Sequence, residues 1–116
     1  MRRDRQRLED ILEALDSVSR IIAGCPEEEF LRNEVIHYAV AQRLTTVGEA
    51  CARLSSDLTA RYGSIPWGDI VGLRNVLVHE YFGILWSSVW LTATEKAPAL
   101  RNQITEIMRL EFPTAL

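Results

Sequence analysis

Apolar residues recur every third or fourth position along nearly the whole chain, and that rhythm restricts it to a helical fold. Leu8, Ile11, Leu12, Leu15, Val18 and Ile22 form one stripe with Gly24 placed to cap its end, so a first helix is expected over roughly 4–23. Pro26 sits where a first-turn proline belongs, and Glu27, Glu28 and Glu29 put negative charge at the positive end of a second helix dipole. Phe30, Leu31, Val35, Tyr38, Ala39, Leu44, Val47, Cys51 and Leu54 carry that second helix to about residue 54. Ser56 to Tyr62 reads as a short capped turn of helix ended by Gly63. After Ile65-Pro66, another helix is expected from Trp67 to about Phe82, stopped by Gly83. A last helical region runs from Leu85 to Phe112, with Pro98 breaking it near its middle. No strand-like alternation appears. The expected architecture is an all-α up-and-down bundle of four main helices, five with the short one, in a single domain over residues 1–116.

Composition narrows the function classes. Hydrophobic residues are 47% and charged residues 25%, which excludes a disordered tail and a disulfide-dense scaffold. A net charge of −3 excludes the broad cationic surface of a nucleic-acid coat, so any nucleic acid must be met locally. No window approaches the ~20 uninterrupted apolar residues of a membrane span, and no leader-like stretch follows Met1-Arg2-Arg3-Asp4-Arg5; a cytoplasmic protein is expected. Cys25 and Cys51, without a CxxC or a nearby His pair, are expected to be free and mostly buried thiols. No Gly-rich phosphate loop and no carboxylate or histidine cluster with metal spacing is present; neither a metal nor another cofactor is expected.

The 67–82 helix departs from the pattern of the others. At about 100° per residue, Leu73, Leu77, Ile70, Tyr81, Trp67, Val78, Val71 and Phe82 cover about half of its circumference. One bundle core covers a single face, so the excess calls for a second chain and predicts a homodimer. Arg74 interrupts that arc between Tyr81 and Trp67 and needs a partner or a ligand, because an unpaired buried guanidinium is strongly unfavourable. Beside the arc runs a narrow strip of Asn75, Gly72 and His79, in which Gly72 costs about 1 kcal/mol of helix stability and points to the close approach of another backbone. Arg74 and His79 are about 140° and ~7.5 Å apart, and Tyr81 falls on nearly the same line as Arg74 two turns later.

Ile65-Pro66-Trp67 followed by Gly72-Leu73-Arg74-Asn75-Val76-Leu77-Val78-His79-Glu80-Tyr81-Phe82-Gly83 closely resembles the HepT-like branch of the HEPN superfamily. The signature there is Arg, usually Asn or Asp next, His after four intervening residues, and Tyr two further on. The likeness extends to Leu8-Glu9-Asp10-Ile11-Leu12, to Val47-Gly48-Glu49-Ala50 and to Val89-Trp90 and Pro98. One departure is Leu85, where relatives often carry a polar helix cap. The resemblance implies an all-α toxin of a prokaryotic toxin–antitoxin pair, a metal-independent endoribonuclease whose composite site forms across a homodimer. Arg74 and His79 would be its catalytic pair, with Asn75 and Gly72 supporting the site. It further implies that Tyr81 accepts a nucleotidyl group from a minimal nucleotidyltransferase antitoxin, which silences the toxin.

The residues suit such chemistry. RNA is cut without metal when its 2′-hydroxyl attacks the adjacent phosphate, which requires a proton acceptor, a proton donor and a cation for the phosphorane. Two His79 side chains across a two-fold axis would supply both proton roles, and Arg74 would clamp the non-bridging oxygens. The bland reading stands beside it: a satisfied structural His79, and Arg74 paired with a carboxylate such as Glu49 across the bundle. The alternative function is a non-catalytic dimeric module that binds a nucleotide or a partner protein. His37 has no such companions and is expected at the surface or in the core, while Tyr38, Trp86 and Trp90 are expected in core or interface. Arg2, Arg3, Arg5 and Arg7 read as a solvated helix start, with extension of an RNA path as the functional alternative.

Overall fold

Four long helices alternate in direction and pack side by side in a computed structural model that describes residues 2–113. The side chain of Arg2 and the terminal residues Met1 and 114–116 lie outside the described set. Among the described residues the fold is all-α: α1 (Arg2–Ile22), α2 (Glu27–Arg32), α3 (Glu34–Ala52), α4 (Ser56–Arg61), α5 (Trp67–His79), α6 (Trp86–Leu91) and α7 (Ala97–Glu111). A 3-10 turn at Tyr81–Gly83 follows α5, and a π turn at Thr92–Lys96 joins α6 to α7.

Antiparallel α1 and α3 form the centre. At one end Asp4, itself buried, accepts from the Ser55 N–H at 2.9 Å and from the Ser55 hydroxyl at 2.6 Å. Further along, Arg43 donates to the Ser17 hydroxyl at 3.0 Å. The Ser55 hydroxyl also accepts from the Leu58 N–H, so a single serine caps α4 and ties it to the start of α1. On the far side of α1 lies α7, through Arg101 and Asp16 and through the apolar contacts of Leu8, Ile11, Leu100, Ile104 and Ile107. A second cluster forms around Phe30, Val18, Val40, Leu44, Leu77 and Val89. The row therefore runs α7, α1, α3, α5, with α5 at its edge resting on α3.

Three expected elements are drawn differently. The long second helix is interrupted: Asn33, at φ −100° and ψ 98°, leaves the helical region, and its side chain accepts from the Ile36 N–H at 3.1 Å to start α3 anew. The apolar stripe continues across this break, which is why periodicity alone reads one helix. The fifth helix ends at His79 rather than Phe82, since Glu80 at φ −129° and ψ 40° turns the chain and Tyr81 opens the 3-10 turn. Pro98 does not break the last helical region. The chain widens instead into the π turn, where the Ala97 N–H reaches back to the Thr92 carbonyl, and Thr94 donates to the Trp90 carbonyl at 2.8 Å. Helix α6 starts after Leu85 without a side-chain cap, as the apolar residue there requires. Gly24, at φ +73°, ends α1 in the left-handed region as expected.

Candidate active site

Position 48 sets the geometry of the site. A Cβ added to Gly48 would collide with the Cβ of Arg74 and come within 2.9 Å of its Cγ and 3.2 Å of the Ile70 carbonyl oxygen. The glycine lets α5 press directly onto α3, with the stem of Arg74 lying across the gap left by the missing side chain. The next residue, Glu49, accepts from the Arg74 guanidinium at 3.3 Å, and Asn75 accepts from its other end at 2.9 Å. Arg74 thus has the partner that its place in the apolar arc demands, and its side chain retains 27% exposure. It is held at two points and remains open to a ligand.

His79 occupies the last turn of α5 and is exposed, as is Asn75 one turn before it. Its ring makes no hydrogen bond among the described residues. Gly72 has nothing within 4 Å of where its Cβ would lie, so no backbone approaches it within the chain; the close approach is made at Gly48 instead. The signal that could have pointed to Gly48 is a glycine in mid-helix beside a carboxylate, in a helix that otherwise carries side chains suited to packing.

Tyr81 lies beyond the end of α5 and turns back onto α3. Its ring stacks on Tyr38 at 5.4 Å with the planes 8° apart, and meets the edges of Phe82 and Trp86. Burial raises the pKa of its phenol above the ordinary value, and the neighbouring Tyr38 and Glu34 add to the rise. The hydroxyl therefore stays protonated at neutral pH.

The apolar arc is only partly covered. Trp67, Ile70, Val71, Leu73 and Tyr81 are half-buried and Leu77 is buried, whereas Val78 and above all Phe82 remain exposed, as do Val76 and Leu85 outside the arc. His37 is in the core: its ring stacks on Trp86 at 4.0 Å and meets the edge of Phe30 at 5.1 Å. Its Nε2 lies 2.6 Å from the Phe30 carbonyl oxygen, and since a carbonyl only accepts, the proton sits on Nε2. Cys51 is buried, which pushes its thiol up to about 12, and Cys25 is half-buried. Among the described residues no group of three His, Cys, Asp or Glu side chains is placed to hold a metal, and no helix is long and apolar enough to cross a membrane.

A family model described as ribonuclease HepT-like matches residues 11–107, from the middle of α1 into the last turns of α7. The chain belongs to the HepT-like ribonuclease family. It is 34% identical over 102 residues to "Putative RNase MJ1216" of Methanocaldococcus jannaschii, covering 88% of this chain and 84% of that one. To "Putative RNase TTE0752" of Caldanaerobacter subterraneus subsp. tengcongensis it is 32% identical over 111 residues, 96% of this chain and 99% of that one. "Probable ribonuclease HepT" of Thermococcus cleftensis is 29% identical over 102 residues, 88% of this chain and 93% of that one. No solved structure gives a significant match. The HepT-like match spans both Gly48 and Arg74, so the seat and the side chain it holds lie within the family's domain.

Proposed function

We propose that the protein cuts RNA as a metal-independent endoribonuclease, with a site completed across a homodimer, and that it is the toxin of a toxin–antitoxin pair acting in the cytoplasm. The observation that carries this is the presence, on one edge helix with part of its apolar face uncovered, of a tethered, still accessible Arg74 and an exposed His79. Dimerisation through Val78 and Phe82 would bring two copies of that edge together.

In the reaction, one His79 takes the proton of the 2′-hydroxyl, whose oxygen attacks the adjacent phosphorus. The second His79 gives a proton to the departing 5′-oxygen, leaving a 2′,3′-cyclic phosphate and a free 5′-hydroxyl. Arg74 holds the non-bridging oxygens as charge builds on the phosphorane. Asn75 keeps the guanidinium turned outward, and Gly72 leaves the face beside it unobstructed.

Regulation would fall on Tyr81. A minimal nucleotidyltransferase partner would direct its hydroxyl onto the α-phosphorus of a nucleoside triphosphate, releasing pyrophosphate. Because the phenol is held protonated, the partner must supply the base that accepts its proton. The new phosphodiester would put an anion where RNA must enter and would compete for Arg74.

Two measurements, RNA cleavage and intact mass, test this. Purified protein should cleave single-stranded RNA in the presence of chelator. Protein co-expressed with the nucleotidyltransferase should gain nucleotidyl mass and lose cleavage, whereas Tyr81→Phe should cleave RNA and gain none. Absence of cleavage by unmodified wild type would leave the protein a binding module; equal mass gain by Tyr81→Phe would place the modification elsewhere.

A further inference from the structure

A cleft of about 180 Å³ opens between α1 and α3, lined by Arg7, Asp10, Thr46, Glu49, Ala50 and Arg53. Glu49 belongs both to this cleft and to the site, since its carboxylate is the one that holds Arg74. The cleft therefore begins one side chain away from the proposed catalytic arginine.

The donors and acceptors in the cleft are unequally used. Asp10 accepts from Gln6 at 2.9 Å, Glu49 accepts from Arg74, and the Thr46 hydroxyl donates to the Gln42 carbonyl at 3.1 Å. The Nε of Arg7 is buried and has no hydrogen-bond partner, and Arg53 makes no ion pair among the described residues. Arg7 as a whole is only half-buried, but this one N–H is withdrawn from water without an acceptor, which is costly and leaves the arrangement incomplete. Its neighbours in the arginine-rich start of α1 differ: Arg5 pairs with Glu9 at 3.5 Å and Arg3 is exposed, so only Arg7 turns into the cleft. The ligand these features call for is an anion with oxygens that two guanidinium groups can share.

We propose that this cleft is a second phosphate pocket for RNA, in which Arg7 and Arg53 hold a phosphodiester neighbouring the one held by Arg74. The proposal rests on the ribonuclease reading and names the direction in which substrate leaves the site: over Glu49 and toward the start of α1. A one-phosphate substrate fills the Arg74 position alone, whereas a longer strand engages both.

The test uses full-length His79→Ala protein, so that RNA is bound without being cut, and fluorescence anisotropy with a labelled single-stranded oligonucleotide and with a dinucleotide. Arg53→Gln and Arg7→Gln should each weaken oligonucleotide binding about fivefold to tenfold and flatten the dependence of log affinity on log salt by about 0.7. Neither should change dinucleotide binding. Arg53 is exposed, so its variant folds irrespective of what becomes of Arg7. Arg20→Gln removes the same charge at the opposite end of α1 and should leave both ligands unaffected. Unchanged oligonucleotide affinity and slope in both cleft variants would overturn the pocket, as would an equal loss in Arg20→Gln, which would reveal diffuse attraction. If Arg74→Gln also binds RNA like its parent, the fault lies in the ribonuclease reading; if Arg74→Gln alone weakens binding, it lies in the pocket.

Discussion

The two histidines of this chain occupy opposite kinds of environment. His37 is enclosed by Phe30 and Trp86 and donates to a backbone carbonyl, so its tautomer, its plane and its contacts are all committed. His79 stands exposed at the end of α5 with no hydrogen bond to its ring among the described residues. The contrast teaches that the better-built histidine is the structural one. A ring that must pick up and release protons needs access, whereas a ring enclosed where α2, α3 and α6 meet, with its Nε2 proton given to a carbonyl, is tied to its place.

Replacing each ring by a methyl should separate the two roles. His79→Ala should lower the cleavage rate about 10²–10⁴-fold, the range for loss of a proton-transfer group, and leave the melting curve unchanged. His37→Ala should destabilise the fold by about 2–4 kcal/mol, from a lost ring stack and an orphaned Phe30 carbonyl. What remains folded should still cut RNA. Single-turnover cleavage and thermal unfolding, run on both variants, check the pair. An active His79→Ala, or a His37→Ala that melts like wild type, breaks the comparison.

Gly48→Ala sharpens it on the other side of the site. The added methyl must push α5 off α3 at the point where Arg74 crosses, at a cost of about 1–3 kcal/mol for overpacking. Because Arg74 shifts with its helix, cleavage should fall further than stability predicts, by about 10²-fold for a displacement near 1 Å. Stability loss without an activity loss in the folded fraction would mean that the seat of Arg74 is not what positions it.

The long elements, and the placing of Arg74, Asn75 and His79 along the second half of α5, were legible in the sequence because both depend on short-range spacing. Apolar stripes draw the helices, and four- and five-residue steps put the polar groups at one end of one helix. What was not legible depends on partners far away in the chain. Gly48 looks like a mild defect in α3 until Arg74 is laid across it, and the ring of Tyr81 leaves the helical path to stack on Tyr38. The break at Asn33 is a local signal that the apolar pattern overrode: an asparagine that caps three residues ahead is visible in sequence only when the stripe around it is weak. The unused donor of Arg7 has no sequence signature, since its neighbours Arg3 and Arg5 are of the same type and differ only in burial.

The smallest expected effect lies far from both histidines and serves as their control. Glu111 accepts from the Tyr62 hydroxyl at 2.7 Å and from Arg61 at 2.8 Å, and these two bonds, the tyrosine's first, hold its carboxyl below the usual carboxylate range. The folded chain therefore loses this proton more readily than the unfolded one. The gain in stability is complete above the ordinary range and disappears as pH falls through the folded value. Glu111→Gln should consequently flatten the acid limb of the stability profile while leaving RNA cleavage at neutral pH unchanged, because Glu111 bonds neither Arg74 nor His79 and its partner Tyr62 meets α5 at Trp67, the first residue of that helix. Thermal melts of the two proteins across the acid range decide it. Parallel acid limbs would show that the bond to Tyr62 contributes nothing to folding, and a change in cleavage would show that the end of α7 is coupled to the site after all.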